Sequence, residues 1–342
     1  MSTQNTPVVA LTLGDASGIG PELIAKLLSQ PDITAGANIV LLGDPWLWQE
    51  GQKIAGMTVA TQTVASLAEV RTRPDRSLPA FLTVDTIRPE QVQRSQAVAA
   101  CGTAVLQVLN LCMDGAKRGE VDAICFAPLN KQAMKLGGLQ HEDELHHFAE
   151  YLGVTGYFCE FNTLDDLWTS RVSSHIPLKD AAALLSQQRI VEAARLIYRS
   201  LQASGTAQPK VAVAAFNPHG GDGGLCGREE IDIIEPAVRE LRASGIPVDG
   251  PFPADTIFLK AIDGQYQAIV TMYHDQGQIA IKLLGFSKGV TVQGGLPVPI
   301  TTPAHGTAFD IAGQGVANVN AMLNAFRIAC RMGAARLQTS NS

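Results

Sequence analysis

The chain has 342 residues, enough for two domains of ordinary size; 46% are hydrophobic and 17% charged, which excludes an intrinsically disordered protein. A net charge of −6 without a run of Lys or Arg argues against a nucleic-acid partner. No apolar stretch reaches the length of a membrane span, and the first residues lack the features of a secretory signal. We therefore expect a cytoplasmic location and no membrane association.

Short apolar runs alternate with helical periodicity along the chain, and this alternation predicts an α/β fold. In chain order we predict a strand at 8–13, a helix at 21–28, a strand at 39–42, a helix at 96–117 and a strand at 121–126. A helix at 182–201, a strand at 211–216, a helix at 228–241, a strand at 268–272 and a helix at 317–335 follow. The six cysteines lack CxxC spacing, so we expect buried apolar side chains rather than a zinc ribbon.

Several polar segments either follow predicted strands or lie in turn-like stretches, and open α/β sheets bind their ligands at the carboxyl ends of strands. These segments are GDASGIGPE at 14–22, SSHIPL at 173–178, NPHGGDGG at 217–224 and MYHDQG at 272–277. The first matches neither the GxGxxG nor the GxxxxGK[ST] nucleotide fingerprint, so by itself it could be no more than a turn.

Three histidines, His175, His219 and His274, lie in these segments among turn residues. Neutral imidazoles bind divalent metal ions, so the three could form a metal site with positions open for substrate. Alternatively, each could hydrogen-bond only its own loop. A competing set in the HEDELHH segment (His141, His146 and His147) does not match HExxH and is typical of a solvated helix or the edge of a substrate site.

The longest polar segment is PAHGTAFDIAGQGVAN at 303–318. The motifs GDASGIGPE, SSHIPL, NPHGGDGG, GREE, GPFPADT, MYHDQG, IKLLGF and HGTAFDIAGQGVA occur in the order seen in the 4-hydroxythreonine-4-phosphate dehydrogenase family. The chain resembles that family from about residue 8 to residue 335. Its last motif is also similar to the cofactor loop of isopropylmalate and isocitrate dehydrogenases.

This resemblance implies two α/β domains around a central cleft, of the isocitrate/isopropylmalate dehydrogenase type. The first would comprise 1–130 and 300–342, and the second, 131–299, would hold the dimer interface and most of the metal site. The resemblance also implies an obligate homodimer and oxidation of a small β-hydroxy acid, followed by decarboxylation. The cofactors would be NAD or NADP and a divalent metal ion, one of Zn, Mg, Mn, Co or Ni.

The resemblance also assigns site residues. The family's metal ligands fall on His175, His219 and His274, with the last supplied across the dimer interface. Acidic residues near the family's site match Asp255 and Asp275, and its substrate-contacting lysine matches Lys282, a candidate for proton transfer to an enol or for anchoring a carboxylate. The residues that would lie against the dinucleotide are Gly306, Thr307, Ala308, Asp310 and Asn318.

Some positions depart from the family's phosphate-handling pattern. Its Gly-His-Thr-Glu run is replaced by a segment rich in acids (Glu142, Asp143 and Glu144), an Asn is replaced by Thr291, and an Arg by Ile300. The loss of an Arg that binds phosphate in a bidentate manner, together with the added acids, disfavours binding of a substrate that carries a phosphate dianion. We therefore predict an unphosphorylated β-hydroxy acid, such as the cis-dihydrodiol of terephthalate.

Two alternatives remain open. The substrate could instead be 4-phosphohydroxythreonine, on the route to pyridoxal phosphate, or a phosphorylated tetronate. A more remote alternative is a non-catalytic dimeric binding protein that kept the fold.

Overall fold

The structure, a computed structural model, describes residues 6–340. The strands are β1 Val8–Thr12, β2 Asn38–Gly43, β3 Gln62–Val64, β4 Ala80–Thr83, β5 Ala123–Phe126, β6 Cys159–Leu164, β7 Leu167–Arg171, β8 Val211–Ala214, β9 Val248–Phe252, β10 Ala268–Thr271, β11 Val290–Gly294 and β12 Ile300–Pro303. The helices are α1 Gly20–Leu28, α2 Pro45–Ala55, α3 Leu67–Thr72, α4 Ala99–Lys117, α5 Lys131–Leu136, α6 Glu144–Tyr151, α7 Ala181–Leu184, α8 Gln187–Ala203, α9 Glu235–Ala243, α10 Ile257–Ile262, α11 His274–Gly285 and α12 Asn320–Ser340.

The chain forms two compact units. The first runs to Thr155 and resumes at Leu296. Its parallel strands have the order β3-β4-β2-β1-β5-β12, and every residue of β1, β2 and β5 is buried. Strands buried on both faces read as continuous apolar runs, which is why the sequence reveals them.

The second unit runs from Gly156 to Gly295, with strand order β11-β6-β7-β10-β8-β9. The β11–β6 and β6–β7 pairs are antiparallel, whereas β7, β10, β8 and β9 are parallel neighbours. Helices α10 and α11 pack on this sheet through a core cluster that includes Phe258, Ala261, Ile269 and Ile281. Because β7, β10 and β8 are parallel neighbours, their carboxyl ends lie side by side.

The boundary between the units differs from the sequence expectation, which assigned residues 131–155 to the second domain. In the structure α5 packs so closely on α4 that a Cβ at Gly102 would lie 1.9 Å from the Ala133 carbonyl oxygen. Phe148 of α6 belongs to the core of the first unit together with Val298. This packing keeps both helices, and the segment from Leu296, in the first unit.

The α/β fold class is confirmed, with differences at element ends. The helix predicted at 182–201 is two helices, because Leu185 is extended and the Ser186 hydroxyl caps α8 by accepting from Arg189 N. The helix predicted from 317 begins at Asn320, whose N–H donates to the Asn318 side chain.

Helix α4 also departs from expectation, since by length and composition it could cross a membrane. However, 56% of that stretch is buried inside the protein, and its apolar face forms part of the core of the first unit.

Candidate functional site

The three candidate metal ligands follow neighbouring parallel strands. His175 comes four residues after β7, His274 opens α11 after β10, and His219 comes after β8. Thr271 pairs with Arg171, and Val270 with Val213, so the three loops leave the same edge of the sheet. The rings of His175 and His274 lie 5.9 Å apart, centroid to centroid, in one chain.

The loop that carries His175 is anchored by Arg171, a buried residue at the end of β7. Its guanidinium donates to Ser174 Oγ (2.9 Å), Asn162 Oδ1 (2.6 Å) and Glu160 Oε2 (2.8 Å). The Ser173 hydroxyl donates to the Met272 carbonyl at 2.9 Å, which ties this loop to the one before His274.

His274 is oriented by its neighbours in the chain. Its Nδ1 lies 2.7 Å from Asp275 Oδ1, an arrangement that leaves Nε2 to face a ligand. Gln276 accepts from Met272 N and donates to the Ala215 carbonyl (2.9 Å), so its side chain links the ends of β10 and β8.

The loop that carries His219 is held by a buried carboxylate. Glu230 accepts from the backbone N–H groups of Phe216 and Asn217, both at 2.7 Å, and from the Asn217 side chain at 2.9 Å. The loop itself runs through five consecutive left-handed residues, from His219 (φ 55°) to Gly223 (φ 63°), a conformation that explains its glycines.

These donors are of the type that binds a divalent metal ion, although among the described residues the ring nitrogens of all three do not lie within 4.8 Å of one another. Three imidazoles come from one sheet edge, two of them already close, and one has its second nitrogen held by a carboxylate, the usual arrangement behind a metal-binding histidine. The predicted residues Asp255, Asp275 and Lys282 belong to the same unit and are exposed. Asp255 lies in the turn before α10, and Asp275 and Lys282 lie on α11.

The candidate nucleotide residues lie in the first unit, between β12 and α12, and differ in exposure. Gly306, Asp310 and Asn318 are exposed, and a Cβ at Gly306 would meet open space. Thr307 is buried, and a Cβ at Gly18 would lie 2.8 Å from Thr307 Cβ. Ala308 is half-buried with φ 44°. An exposed, glycine-rich backbone of this kind suits close approach of a dinucleotide.

Asp15, in the 14–22 segment, is buried. Its Oδ1 accepts from Ser17 N at 2.8 Å, whereas its Oδ2 has no partner among the described residues. Burial raises the pKa of the Asp15 carboxyl from 3.8 to about 6, and the Ser17 bond offsets part of that effect.

The positions that suggested an unphosphorylated substrate have structural roles of their own. Ile300 is fully buried in β12, where it pairs with Ile124 and belongs to the core of the first unit. Asp143 is buried and caps α6 by accepting from His146 N at 3.0 Å. It is therefore not a third surface acid beside Glu142 and Glu144.

The competing histidines lie around α6. His147 Nε2 lies 2.8 Å from Asn110 Oδ1, and burial lowers the pKa of its ring. His141 Nε2 lies 3.4 Å from Glu150 Oε2, and the His141 carbonyl accepts from Lys135 Nζ.

Comparison with known proteins identifies the family. The family model described as pyridoxal phosphate biosynthetic protein PdxA matches residues 35–329. The chain belongs to the PdxA family. A Pseudomonas aeruginosa protein with the provisional name 4-hydroxythreonine-4-phosphate dehydrogenase 2 is 52% identical over 97% of this chain and 99% of its own. The D-threonate 4-phosphate dehydrogenase of Salmonella typhimurium is 37% identical over 96% and 99%.

Solved structures of similar proteins share the fold. The crystal structure of 4-hydroxythreonine-4-phosphate dehydrogenase from Klebsiella pneumoniae has a TM-score of 0.82 at 33% identity, covering 97% of this chain and 99% of that one. A terephthalate 1,2-cis-dihydrodiol dehydrogenase from Burkholderia xenovorans is more distant, with a TM-score of 0.68 at 30% identity and coverage of 95% and 98%. The predicted family and an enzyme of the dehydrogenase class are thus confirmed.

Sequence reasoning missed the side chains that hold these loops. Glu230 lies in the GREE motif and Gln276 in MYHDQG, so their motifs were visible, but the roles of these two residues were not. Arg171 stands in an ordinary strand sequence and gives no signal before the fold is known.

Proposed function

We propose that this chain oxidises a phosphorylated hydroxy acid with NAD or NADP, aided by a divalent metal ion, and that decarboxylation follows. The observation that carries the proposal is the set of three histidine loops at one sheet edge in a chain of this family. The names of its relatives favour 4-hydroxythreonine 4-phosphate or D-threonate 4-phosphate as substrate, the alternative in the sequence analysis. The unphosphorylated dihydrodiol carboxylate is not supported by these closer relatives.

The chemistry follows from the residues. A divalent ion, when bound, supplies Lewis acidity to the substrate hydroxyl and to the ketone that replaces it. His175, His219 and His274 would hold that ion, with Asp275 fixing the orientation of the His274 ring. Lys282, exposed on α11, is suited to deliver a proton to the enol after loss of CO₂. The exposed backbone around Gly306 would face the nucleotide.

A second copy of the chain is part of this proposal. The outer faces of α10 and α11 carry exposed apolar side chains, with Leu283 83%, Leu259 61% and Ile279 59% exposed. Asp275 and Lys282 are exposed on α11 as well, seven residues apart and so on one side of the helix. A partner subunit covering this face would bury apolar surface and enclose two candidate catalytic residues at once, as expected for a homodimer with composite sites.

Cationic or imidazole groups near α6 are suited to the phosphate. Lys135 and His141 belong to the same unit and contact each other through the His141 carbonyl. They are candidates for the charge-assisted contacts that Ile300 cannot make.

The test is nucleotide reduction by the purified chain, measured with both phosphorylated acids, their unphosphorylated counterparts and terephthalate dihydrodiol. Each is assayed with NAD⁺ and NADP⁺ and with each candidate metal. A charge-assisted hydrogen bond contributes about 1.5–3 kcal/mol, so kcat/KM should favour a phosphorylated acid by roughly tenfold or more. Preference for the dihydrodiol would contradict the proposal, and no turnover with any compound would favour the binding-protein alternative.

A further inference from the structure

The GDASGIGPE segment leads into α1, where two charged residues, Glu22 and Lys26, lie one helical turn apart. Their side chains form an ion pair with Nζ 2.7 Å from Oε1. Only 15% of the Lys26 side chain and 1% of the Glu22 side chain are exposed. Such burial is unusual for either residue type and demands partners for the remaining polar atoms.

The partners of Lys26 Nζ and Glu22 Oε1 belong to the candidate nucleotide loop, residues 306–318, whereas Glu22 Oε2 is buried without a hydrogen-bond partner among the described residues. Lys26 Nζ donates to the carbonyls of Gly315 (2.9 Å) and Ala317 (2.8 Å). The N–H of Ala317 donates to Glu22 Oε1 at 2.8 Å. The ion pair thus holds the carboxyl-terminal part of the loop through hydrogen bonds to its backbone carbonyls, which Lys26 donates, and from a backbone N–H, which Glu22 accepts.

The other end of the loop is attached to the same segment. The N–H of Ile19, directly before α1, donates to the Thr307 carbonyl at 3.1 Å. Gly18 lies against the Thr307 side chain so closely that only glycine fits. The 14–22 segment and α1 therefore fix both ends of the loop.

The loop needs this support because it lacks regular secondary structure between the two attachments. Ala308, Gly313 and Gly315 have positive φ angles, and Gly306, Asp310 and Asn318 are exposed. Loops with few internal hydrogen bonds open readily, and ordering them on binding reduces affinity.

We propose that Glu22 and Lys26 are positioning residues that hold the 306–318 loop in the conformation that binds the nicotinamide dinucleotide. This inference rests on the proposed function, because it requires that the loop binds that cofactor. The inference gives a role to Glu22, the last residue of the GDASGIGPE motif. That motif matches no nucleotide fingerprint.

Two variants test the inference. Lys26→Met removes the donor, and the Glu22→Gln/Lys26→Met double variant removes both charges, so that no unpaired charge stays buried. The matched control is Lys53→Met, an exposed lysine on the adjacent helix α2. For each, NADH binding is measured by fluorescence titration, Zn²⁺ binding by calorimetry, and amide hydrogen exchange around Ala317 in the nucleotide-free chain.

We expect faster exchange around Ala317 in both variants and a Kd for NADH raised about tenfold, equivalent to about 1.4 kcal/mol. The Zn²⁺ affinity of the second unit and the Lys53→Met control should stay at wild-type values. Unchanged NADH affinity in either folded variant, or equal losses of NADH and Zn²⁺ affinity, would overturn the positioning role. If the wild-type chain binds neither NADH nor NADPH, the proposed function fails and this inference fails with it; if it binds NADPH alone, the same titrations are made with NADPH.

Discussion

At the residue scale, the buried carboxylate of Asp15 makes stability depend on pH. Burial raises its pKa from 3.8 to about 6, so between these values the folded chain binds more protons than the unfolded chain. Stability contributed by this group is therefore complete below about pH 4 and is lost as the pH rises through about 6. A shift of roughly two pKa units corresponds to at most about 3 kcal/mol.

Asp15→Asn removes the titration and keeps an oxygen for the Ser17 N–H. We expect it to raise the free energy of unfolding by up to about 3 kcal/mol at pH 7.5 and to change it little at pH 4. Urea unfolding at several pH values measures this difference, with the exposed Asp263→Asn as control. A difference that does not vary with pH would rule out titration of Asp15 as its cause.

Single residues also show where sequence reasoning stopped. His219 and His274 were singled out because each lies in a polar motif directly after a predicted strand, whereas His175 and the loop around Gly306 were singled out by their motifs alone, since no strand was predicted directly before either. The environment of Ile300 could not be predicted from the sequence. In a single sequence, a substitution at a ligand-contact position looks the same as a residue buried in a core strand. Only the β12–β5 pairing shows that Ile300 faces the core.

At the scale of elements, the loop that carries His219 depends on Glu230, which begins the π-helical turn before α9. Glu230→Gln replaces one carboxylate oxygen with an NH₂ group, which cannot accept the hydrogen bond from the Asn217 side chain. The loop should therefore loosen. Residues behind metal ligands typically affect metal affinity by roughly 10- to 100-fold. We expect a loss of that size in calorimetric Zn²⁺ titration.

The control for Glu230→Gln is Asp232→Asn, because the Arg228–Asp232 pair is solvent-exposed and such pairs contribute little. Wild-type Zn²⁺ affinity in Glu230→Gln would mean that the loop keeps its conformation without this carboxylate.

The sequence predicted a strand or helix more reliably the more completely that element is buried. Strands β1, β5, β8 and β10 are buried at every position and apolar except for a final Thr in β1 and β10, and they were recognised with ends shifted by one or two residues. Strand β6 mixes polar residues such as Asn162 and Thr163 with apolar ones, and was missed. Short helices such as α10 offer too few turns for periodicity to be visible.

At the scale of the whole molecule, the account requires a dimer, and the origin of His274 can be decided by subunit exchange. Inactive His175→Ala and His274→Ala homodimers are mixed and allowed to exchange. If His274 of the partner subunit completes each site, every heterodimer has one intact site, and random exchange restores about a quarter of wild-type activity.

The 5.9 Å separation of the His175 and His274 rings within one chain makes the opposite result equally informative. No recovery after exchange demonstrated by native mass spectrometry would mean that all three ligands come from the same chain.

The central claim, that three histidine loops form a metal site required for turnover, is tested most directly with His219→Ala. Bound metal is quantified by mass spectrometry, and nucleotide reduction is followed with the preferred phosphorylated acid. His219 is exposed, so its loss should leave the circular dichroism spectrum and the dimer unchanged. We predict that stoichiometric metal and turnover are both lost. Full metal content together with wild-type activity in His219→Ala would contradict the account.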